Sequence, residues 1–111
     1  MQDVRDLAGL ESAIRASDEA PGVLFKHSRS CPISASAHAS VAGMGAPGDP
    51  AVYRIVIQEA RPVSAEVASR FKIRHESPQA IVLWRGERVF DASHFDVTAD
   101  ALRKEAAAHA A

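Results

Sequence analysis

The chain has 111 residues, a length that suits one domain around one core. Hydrophobic residues make up 47% and charged residues 24%, which disfavours a disordered chain. The formal net charge of −1 argues against a general nucleic-acid binder and against a polybasic membrane anchor. We therefore expect a single domain, residues 1–111, whose partners include neither nucleic acid nor membrane.

The sequence also bears on compartment and on disulfides. No apolar run approaches the roughly 20 residues that span a bilayer, and the first residues lack the basic start and apolar core of a signal peptide. We therefore expect a cytoplasmic protein. Cys31 is the only cysteine, so any disulfide must join it to a small thiol or to another protein, and it cannot build a thiolate metal site alone.

The first half of the chain predicts a helix, a strand and a second helix. After an extended lead-in, helical spacing of apolar residues indicates a helix from Leu10 to about Ser17. The short apolar run 23–25 is typical of a buried central strand. A second helix is expected to begin at Cys31-Pro32 and to end before the glycine- and proline-rich loop 43–50.

The second half predicts a strand, a helix, a hairpin and a last helix. The strands are expected at 52–57, 80–84 and 89–92. Ser64 is expected to cap the helix after the first of these strands, and Thr98 or Asp96 the last helix. The tail 109–111 is expected to fray.

The resulting order is α-β-α-β-α-β-β-α. A right-handed βαβ crossover makes the first two strands parallel, and the short turn between the last two makes them antiparallel. We therefore predict an α/β protein with a four-stranded mixed sheet flanked by helices, in the order of a thioredoxin-like fold with an added N-terminal helix. In such a fold, the cysteine lies at the carboxyl end of the first central strand and the loop carrying Pro78 ends beside it.

The position of Cys31 at the start of a helix favours a thiolate. A helix N-terminus stabilises a nearby negative charge by about 0.3–1 kcal/mol, or up to about 2 kcal/mol when partly buried. That corresponds to about one pKa unit. Pro32 suits the first turn of a helix because its fixed φ fits there and its missing N–H is not needed.

Neighbouring residues are candidates for additional support of the thiolate. Lys26, His27 and Arg29 are the nearest cationic candidates in the sequence. The Ser34 hydroxyl and the backbone N–H groups of Ile33 and Ser34 are candidate hydrogen-bond donors.

The motif Cys31-Pro32-Ile33-Ser34 carries serine where a dithiol oxidoreductase has its second cysteine. No internal thiol can therefore resolve a mixed disulfide on Cys31. The pattern predicts removal or addition of a small-thiol cap, with a thiol from solution completing the reaction.

Three histidines offer a weaker, metal-binding interpretation. His27, His75 and His94 are widely spaced and lack acidic partners in the sequence, so we predict no metal site and no tightly bound cofactor. A second simple interpretation is that Cys31 is an inert buried side chain, as lone cysteines often are.

Four segments show a resemblance to a known family. They are Phe25-Lys26-His27-Ser28, Cys31-Pro32-Ile33-Ser34, His75-Glu76-Ser77-Pro78-Gln79 and Ala92-Ser93-His94, and together they resemble the YtxJ family of monothiol bacilliredoxins. The resemblance implies a thioredoxin-like fold in bacteria that make bacillithiol, a cysteine–glucosamine–malate thiol. It also implies thiol–disulfide exchange that removes bacillithiol from S-bacillithiolated proteins, with bacillithiol as co-substrate.

The resemblance further implies residue roles. Cys31 is the nucleophile, and Pro78 is a cis-proline beside which Ser77 offers backbone groups to the disulfide partner. Ser93 and His94 correspond to the place that holds the far end of the thiol cofactor in glutaredoxin-like proteins. His94 would then face the malate carboxylates, together with Arg29 or Lys26, which are the remaining substrate-binding candidates.

Two other functions remain open at this stage. An iron–sulfur carrier resembling monothiol glutaredoxins would share a cluster across a dimer, but those carriers usually place glycine where this chain has Pro32. A non-enzymatic binding module would use the same fold as a docking surface and leave Cys31 unreactive.

Overall fold

The computed structural model describes residues 1–109. The helices and strands, in chain order, are β1 (Gln2–Asp3), α1 (Leu7–Ala16), β2 (Gly22–His27), α2 (Pro32–Ala42), β3 (Ala51–Val56), α3 (Arg61–Arg70), β4 (Gln79–Trp84), β5 (Glu87–Ser93), a 3-10 turn (His94–Asp96) and α4 (Ala99–His109). Residue 109 ends α4. The expected fraying of 110 and 111 lies outside the described residues.

The sheet is mixed, as the sequence predicts, but it has five strands in the order β1-β3-β2-β4-β5. The β2–β3 pair is parallel, and β4 is antiparallel to both β2 and β5. The predicted count of four strands was wrong because β1 adds an edge strand. It pairs Gln2 with Tyr53 and Asp3 with Arg54.

The central strand β2 sends alternate side chains to opposite faces of the sheet, as strand geometry requires. Val23 and Phe25 belong to the core cluster that includes residues of α2 and α4. Leu24 belongs to the second cluster, with residues of α1 and α3. Lys26 therefore shares the face of Leu24, on the opposite side of the sheet from α2.

Two helix starts differ from the sequence prediction. α1 begins at Leu7 rather than Leu10 because the Asp6 carboxylate accepts a hydrogen bond from the Gly9 N–H at 2.7 Å and caps the helix. α3 begins at Arg61 without a side-chain cap, and Ser64 is buried within it. Thr98 is the capping side chain of α4, since its hydroxyl accepts from the Ala101 N–H at 3.2 Å.

None of the helices within residues 1–109 is long and apolar enough to cross a membrane. The fold places two segments at one end of the sheet: the loop that leaves β2 and starts α2, and the loop 74–78 that enters β4. These two segments carry most of the residues predicted to do the chemistry.

Candidate active site

Cys31 lies at the N-cap of α2, with Pro32 at the first position of the helix. Its backbone is extended (φ −105°, ψ 121°), and its carbonyl accepts the Ala35 N–H at 3.1 Å to close the first turn. The thiol is unpaired and the residue is partly exposed. A disulfide sulfur can therefore reach it at the positive end of a helix.

The pKa of the Cys31 thiol is lowered from its ordinary value. The main cause is a hydrogen bond from the Ser34 backbone N–H, with further contributions from the Ile33 N–H and the Ser34 hydroxyl, while burial acts in the opposite direction. These donors are neutral dipoles at the start of α2. The sequence-based expectation of N–H and hydroxyl donors agrees with these causes of the lowered pKa, and no cationic side chain is among them.

Ser34 connects the two loops of the site. Its side chain is fully buried, and its hydroxyl oxygen accepts the Ser28 N–H at 3.3 Å. The same oxygen lies 3.3 Å from the Ser77 hydroxyl oxygen. The helix that begins at Cys31 is therefore linked directly to the loop before β4.

That second loop contains a cis peptide bond between Ser77 and Pro78, as the resemblance implied. The Pro78 carbonyl accepts the His94 N–H at 2.9 Å, and Gln79 pairs with Ser93 across the hairpin. The 3-10 turn that begins at His94 also packs against α2. Ser77, Pro78, Ser93 and His94 are thus brought to the same end of the fold as Cys31.

The His94 side chain is about half exposed, and its Nε2 atom lies 3.3 Å from a Glu76 carboxylate oxygen. Its backbone occupies the left-handed region, with φ at 57°. Arg74 also approaches Glu76, at 3.6 Å. Any anionic ligand that reaches His94 must therefore compete with the Glu76 carboxylate.

His27 is partly buried and its ring packs against α2. Its ring lies 4.7 Å from the His38 ring, centroid to centroid, and 5.9 Å from the Phe25 ring. Burial is the main cause that lowers the His27 pKa, with smaller contributions from His38 and Arg54. The neutral imidazole is therefore favoured, which does not fit a cationic support for the thiolate.

Lys26 is buried on the opposite face of the sheet, with 1% of its surface exposed. Its ammonium donates to the Ser64 carbonyl at 2.9 Å and lies 3.0 Å from His75 Nδ1. Burial lowers its pKa to about 8. This buried position does not fit direct contact between Lys26 and the carboxylates of a thiol substrate, so the predicted substrate-binding role of Lys26 is wrong.

Arg29 lies in the loop just before Cys31, and its side chain is 57% exposed. Its guanidinium donates to the Glu59 carboxylate at 2.9 Å, and its backbone N–H donates to the Gln58 amide oxygen at 3.2 Å. An anionic ligand could reach Arg29, although it would share the guanidinium with Glu59.

The sequence interpretation missed several residues that brace the site. Gln58 donates to the Ser28 hydroxyl at 2.9 Å and, with Glu59, holds the loop before Cys31. These contacts join segments about 30 residues apart, so spacing along the chain gives no signal for them. Glu76 was detectable as the one carboxylate in the loop around Pro78.

The three histidines of the weak metal interpretation have different neighbours. His27 lies against His38, His75 contacts Lys26, and His94 contacts Glu76. Within residues 1–109, no group of three or more His, Cys, Asp or Glu side chains is arranged to hold a metal ion.

Solved structures with the same fold are thioredoxins and related oxidoreductases. A protein described as an oxidoreductase with a thioredoxin fold matches with a TM-score of 0.84 and 28% identity, over 94% of this chain and 91% of its own. Thioredoxin from Fasciola hepatica matches with a TM-score of 0.79 and 14% identity, over 98% and 99% of the two chains. A mutant thioredoxin from Halobacterium salinarum matches with a TM-score of 0.77 and 19% identity, over 99% and 90%.

A cysteine at a helix start in this fold is the arrangement of a thiol oxidoreductase of the thioredoxin superfamily. It is a monothiol protein because Cys31 is the only cysteine. The sequence profile of the family described as monothiol bacilliredoxin BrxC matches residues 2–102. The chain therefore belongs to the monothiol bacilliredoxin BrxC family.

Proposed function

We propose that this protein removes bacillithiol from S-bacillithiolated proteins through a mixed disulfide on Cys31. The observation that supports the proposal is the exposure and the lowered pKa of the Cys31 thiol. Cys31 is partly exposed at the N-cap of α2, its pKa is lowered by donors at the start of that helix, and Ser34 replaces a second thiol. Membership in the bacilliredoxin family supports bacillithiol as the small thiol.

The reaction consists of two thiol–disulfide exchanges. In the first, the Cys31 thiolate attacks the bacillithiol sulfur of the protein-bound mixed disulfide, and the protein sulfur leaves as a thiolate that takes up a proton. In the second, the thiolate of a free bacillithiol attacks the bacillithiol sulfur now bonded to Cys31. Bacillithiol disulfide forms, and Cys31 leaves as a thiolate.

The donors around Cys31 act on both exchanges. In the first, they increase the fraction of nucleophilic thiolate near neutral pH. In the second, they stabilise Cys31 as the leaving group, because a thiol with a lower pKa leaves faster. Ser34 thus contributes although it cannot form a disulfide itself.

The surroundings of Cys31 suit a small thiol that carries carboxylates. Ser77 and Pro78, in the loop joined to Ser34, are the residues proposed to meet the backbone of the disulfide partner. His94 and Arg29 are the exposed cationic or potentially cationic groups proposed to meet the malate carboxylates. Regeneration needs reduced thiol, which fits the cytoplasmic location expected from the sequence.

The decisive experiment compares two mixed disulfides of one reporter protein, one formed with bacillithiol and the other with glutathione. We expect faster release from the bacillithiol adduct and, by mass spectrometry, a single bacillithiol adduct on Cys31. The Cys31→Ser variant should fold normally and show neither adduct nor turnover. An unmodified Cys31, or turnover by the serine variant, would refute the mechanism, and equal rates on both reporters would refute the preference for bacillithiol.

A further inference from the structure

Behind the loop 74–78, on the face of the sheet away from α2, lies a group of polar side chains that the proposed chemistry does not use. Lys26 and Gln79 are each 1% exposed, and Ser64 is 5% exposed. Lys26 and Gln79 are directly opposite each other in the antiparallel β2–β4 pair. Side chains on opposed residues share a face, so both point towards α3.

The hydrogen bonds of this cluster converge on the loop. The Lys26 ammonium contacts His75 Nδ1 at 3.0 Å and the Ser64 carbonyl of α3 at 2.9 Å. The Gln79 side-chain amide donates to the Arg74 carbonyl at 2.9 Å. Two buried side chains of the central strands, Lys26 and Gln79, therefore hold the first two residues of the loop.

The identity of these side chains is not explained by packing. An apolar side chain of similar length would fill the Lys26 position without the cost of burying an ammonium, whose two partners here are neutral. The same burial lowers the pKa of Lys26, and burial together with Lys26 lowers the pKa of His75, which keeps Nδ1 available as an acceptor. The arrangement therefore favours a role for the Lys26 ammonium in fixing the position of His75.

The other side of the same loop faces the reactive cysteine. Ser77 contacts the Ser34 hydroxyl at 3.3 Å, and the Pro78 carbonyl accepts the His94 N–H at 2.9 Å. A shift of the loop would move both contacts. The segment 74–78 therefore contacts both the buried polar cluster and the candidate active site.

We propose that Lys26 and Gln79 are positioning residues that hold the 74–78 loop in the place where the disulfide partner of Cys31 docks. Lys26 acts through His75, and Gln79 acts through the Arg74 carbonyl. Neither touches the reacting sulfurs. The inference rests on the proposed function for its kinetic consequence, but its structural consequence, the anchoring of the loop, is independent of substrate.

The test uses Lys26→Met, which keeps the length of the side chain and removes the donor, and His75→Leu, which removes the acceptor. His75→Asn is the matched control because its side-chain oxygen can occupy the place of Nδ1. The first two variants should raise the KM for the bacillithiol mixed disulfide about fivefold, the effect of one net hydrogen bond, with a smaller change in kcat. His75→Asn should restore most of the wild-type KM, and the pH midpoint of Cys31 alkylation should not move in any variant.

Amide hydrogen exchange tests the anchoring without any substrate. The His94 N–H is bonded to the Pro78 carbonyl, so its exchange should accelerate in Lys26→Met and His75→Leu and remain near the wild-type rate in His75→Asn. If KM and His94 exchange both stay within about twofold of wild type in Lys26→Met and His75→Leu, the positioning role is wrong. A wild-type protein inactive on bacillithiol mixed disulfides would instead refute the proposed function, and His94 exchange would still decide whether Lys26 anchors the loop.

Discussion

The Ser34 and Ser77 hydroxyl oxygens lie 3.3 Å apart, and this contact joins the helix that begins at Cys31 to the cis-proline loop. Ser34 also supports the Cys31 thiolate, through its backbone N–H first and its hydroxyl to a lesser degree. Ser34 therefore contributes both to the lowered pKa of the Cys31 thiol and to the position of the loop that carries Ser77 and Pro78.

Replacement of Ser34 by alanine should raise the pKa of Cys31 modestly. The backbone N–H groups, which include the largest cause of the lowered pKa, remain in place, and only the hydroxyl contribution is lost. The pH profile of iodoacetamide alkylation measures the change. Ser36→Ala, an exposed serine on the same helix, is the matched control. An identical profile for Ser34→Ala and wild type would mean that the hydroxyl does not support the thiolate.

The alkylation rate of wild-type Cys31 should rise with pH and reach a plateau, because only the thiolate reacts. Since the folded-state pKa is lowered, the midpoint should lie below that of the urea-unfolded protein, and the gap between the two rates should be largest between the two midpoints. The thiolate therefore contributes stability above the unfolded pKa and loses it as the pH falls through the folded value. Coincident midpoints would contradict the proposed role of the α2 N-terminus.

Variants at His94 and Glu76 should affect exchange in opposite directions. His94→Ala removes a partner for an anionic thiol, whereas Glu76→Gln removes the carboxylate 3.3 Å from the same imidazole. We expect the KM for a bacillithiol mixed disulfide to rise several-fold in the first variant and to fall in the second. A cysteine mixed disulfide, which lacks malate, should respond much less. Equal responses to the two substrates would argue against a contact between His94 and malate.

The Asp3–Arg54 ion pair should stabilise the edge strand. Two Arg54 nitrogens donate to Asp3, at 2.6 and 3.0 Å, and the hydrogen bond from Arg54 is the main cause of the lowered Asp3 pKa. Asp3→Asn should lower the free energy of unfolding at neutral pH by up to about 1 kcal/mol. Because the folded-state pKa is lowered, the stabilisation is present above the unfolded value and is lost as the pH falls through the folded one.

Urea unfolding monitored by the fluorescence of Trp84, the only tryptophan, measures the effect of Asp3→Asn. Asp18→Asn, at an exposed carboxylate, is the control. The difference between Asp3→Asn and wild type should shrink in acid. A difference that does not depend on pH would show that the ion pair is not its cause.

Leu102→Ala should be the most damaging single truncation in α4. Leu102 is fully buried in the cluster between the sheet and the helices α2 and α4, and such truncations cost about 2–5 kcal/mol. Leu7→Ala, where half of the side chain is exposed, should cost much less. Equal losses of unfolding free energy in the two variants, measured by urea unfolding, would contradict the burial of Leu102 in the core.

The sequence predicted most of the fold because its signals are local. The apolar run at 23–25, the cysteine–proline helix start and the short turn between the last two strands each specify one element, and their order specifies the topology. The edge strand β1 escaped prediction because Gln2 and Asp3 are two residues with no periodicity. Their pairing with Tyr53 and Arg54 is a tertiary contact that no local pattern encodes.

The candidate site was predicted less evenly. Cys31, Ser34 and the Pro78 loop follow from the motif and its resemblance, and the structure brings them together. Lys26 is a candidate support for the thiolate and a candidate substrate contact in the sequence because it is close to Cys31 along the chain, but the structure buries its side chain. β2 extends to His27, and strand alternation places Lys26 on the face of Leu24, so a period of two would have indicated the correct side.

Ser34 is a buried serine at the position where a dithiol enzyme has its second cysteine. This substitution affects how long a mixed disulfide on Cys31 persists. Without an internal thiol, a capped Cys31 is released only by collision with a reduced thiol from its surroundings. Its lifetime therefore lengthens as that pool becomes oxidised. The fraction of capped protein would then serve as a gauge of the ratio of reduced to oxidised thiol in the compartment.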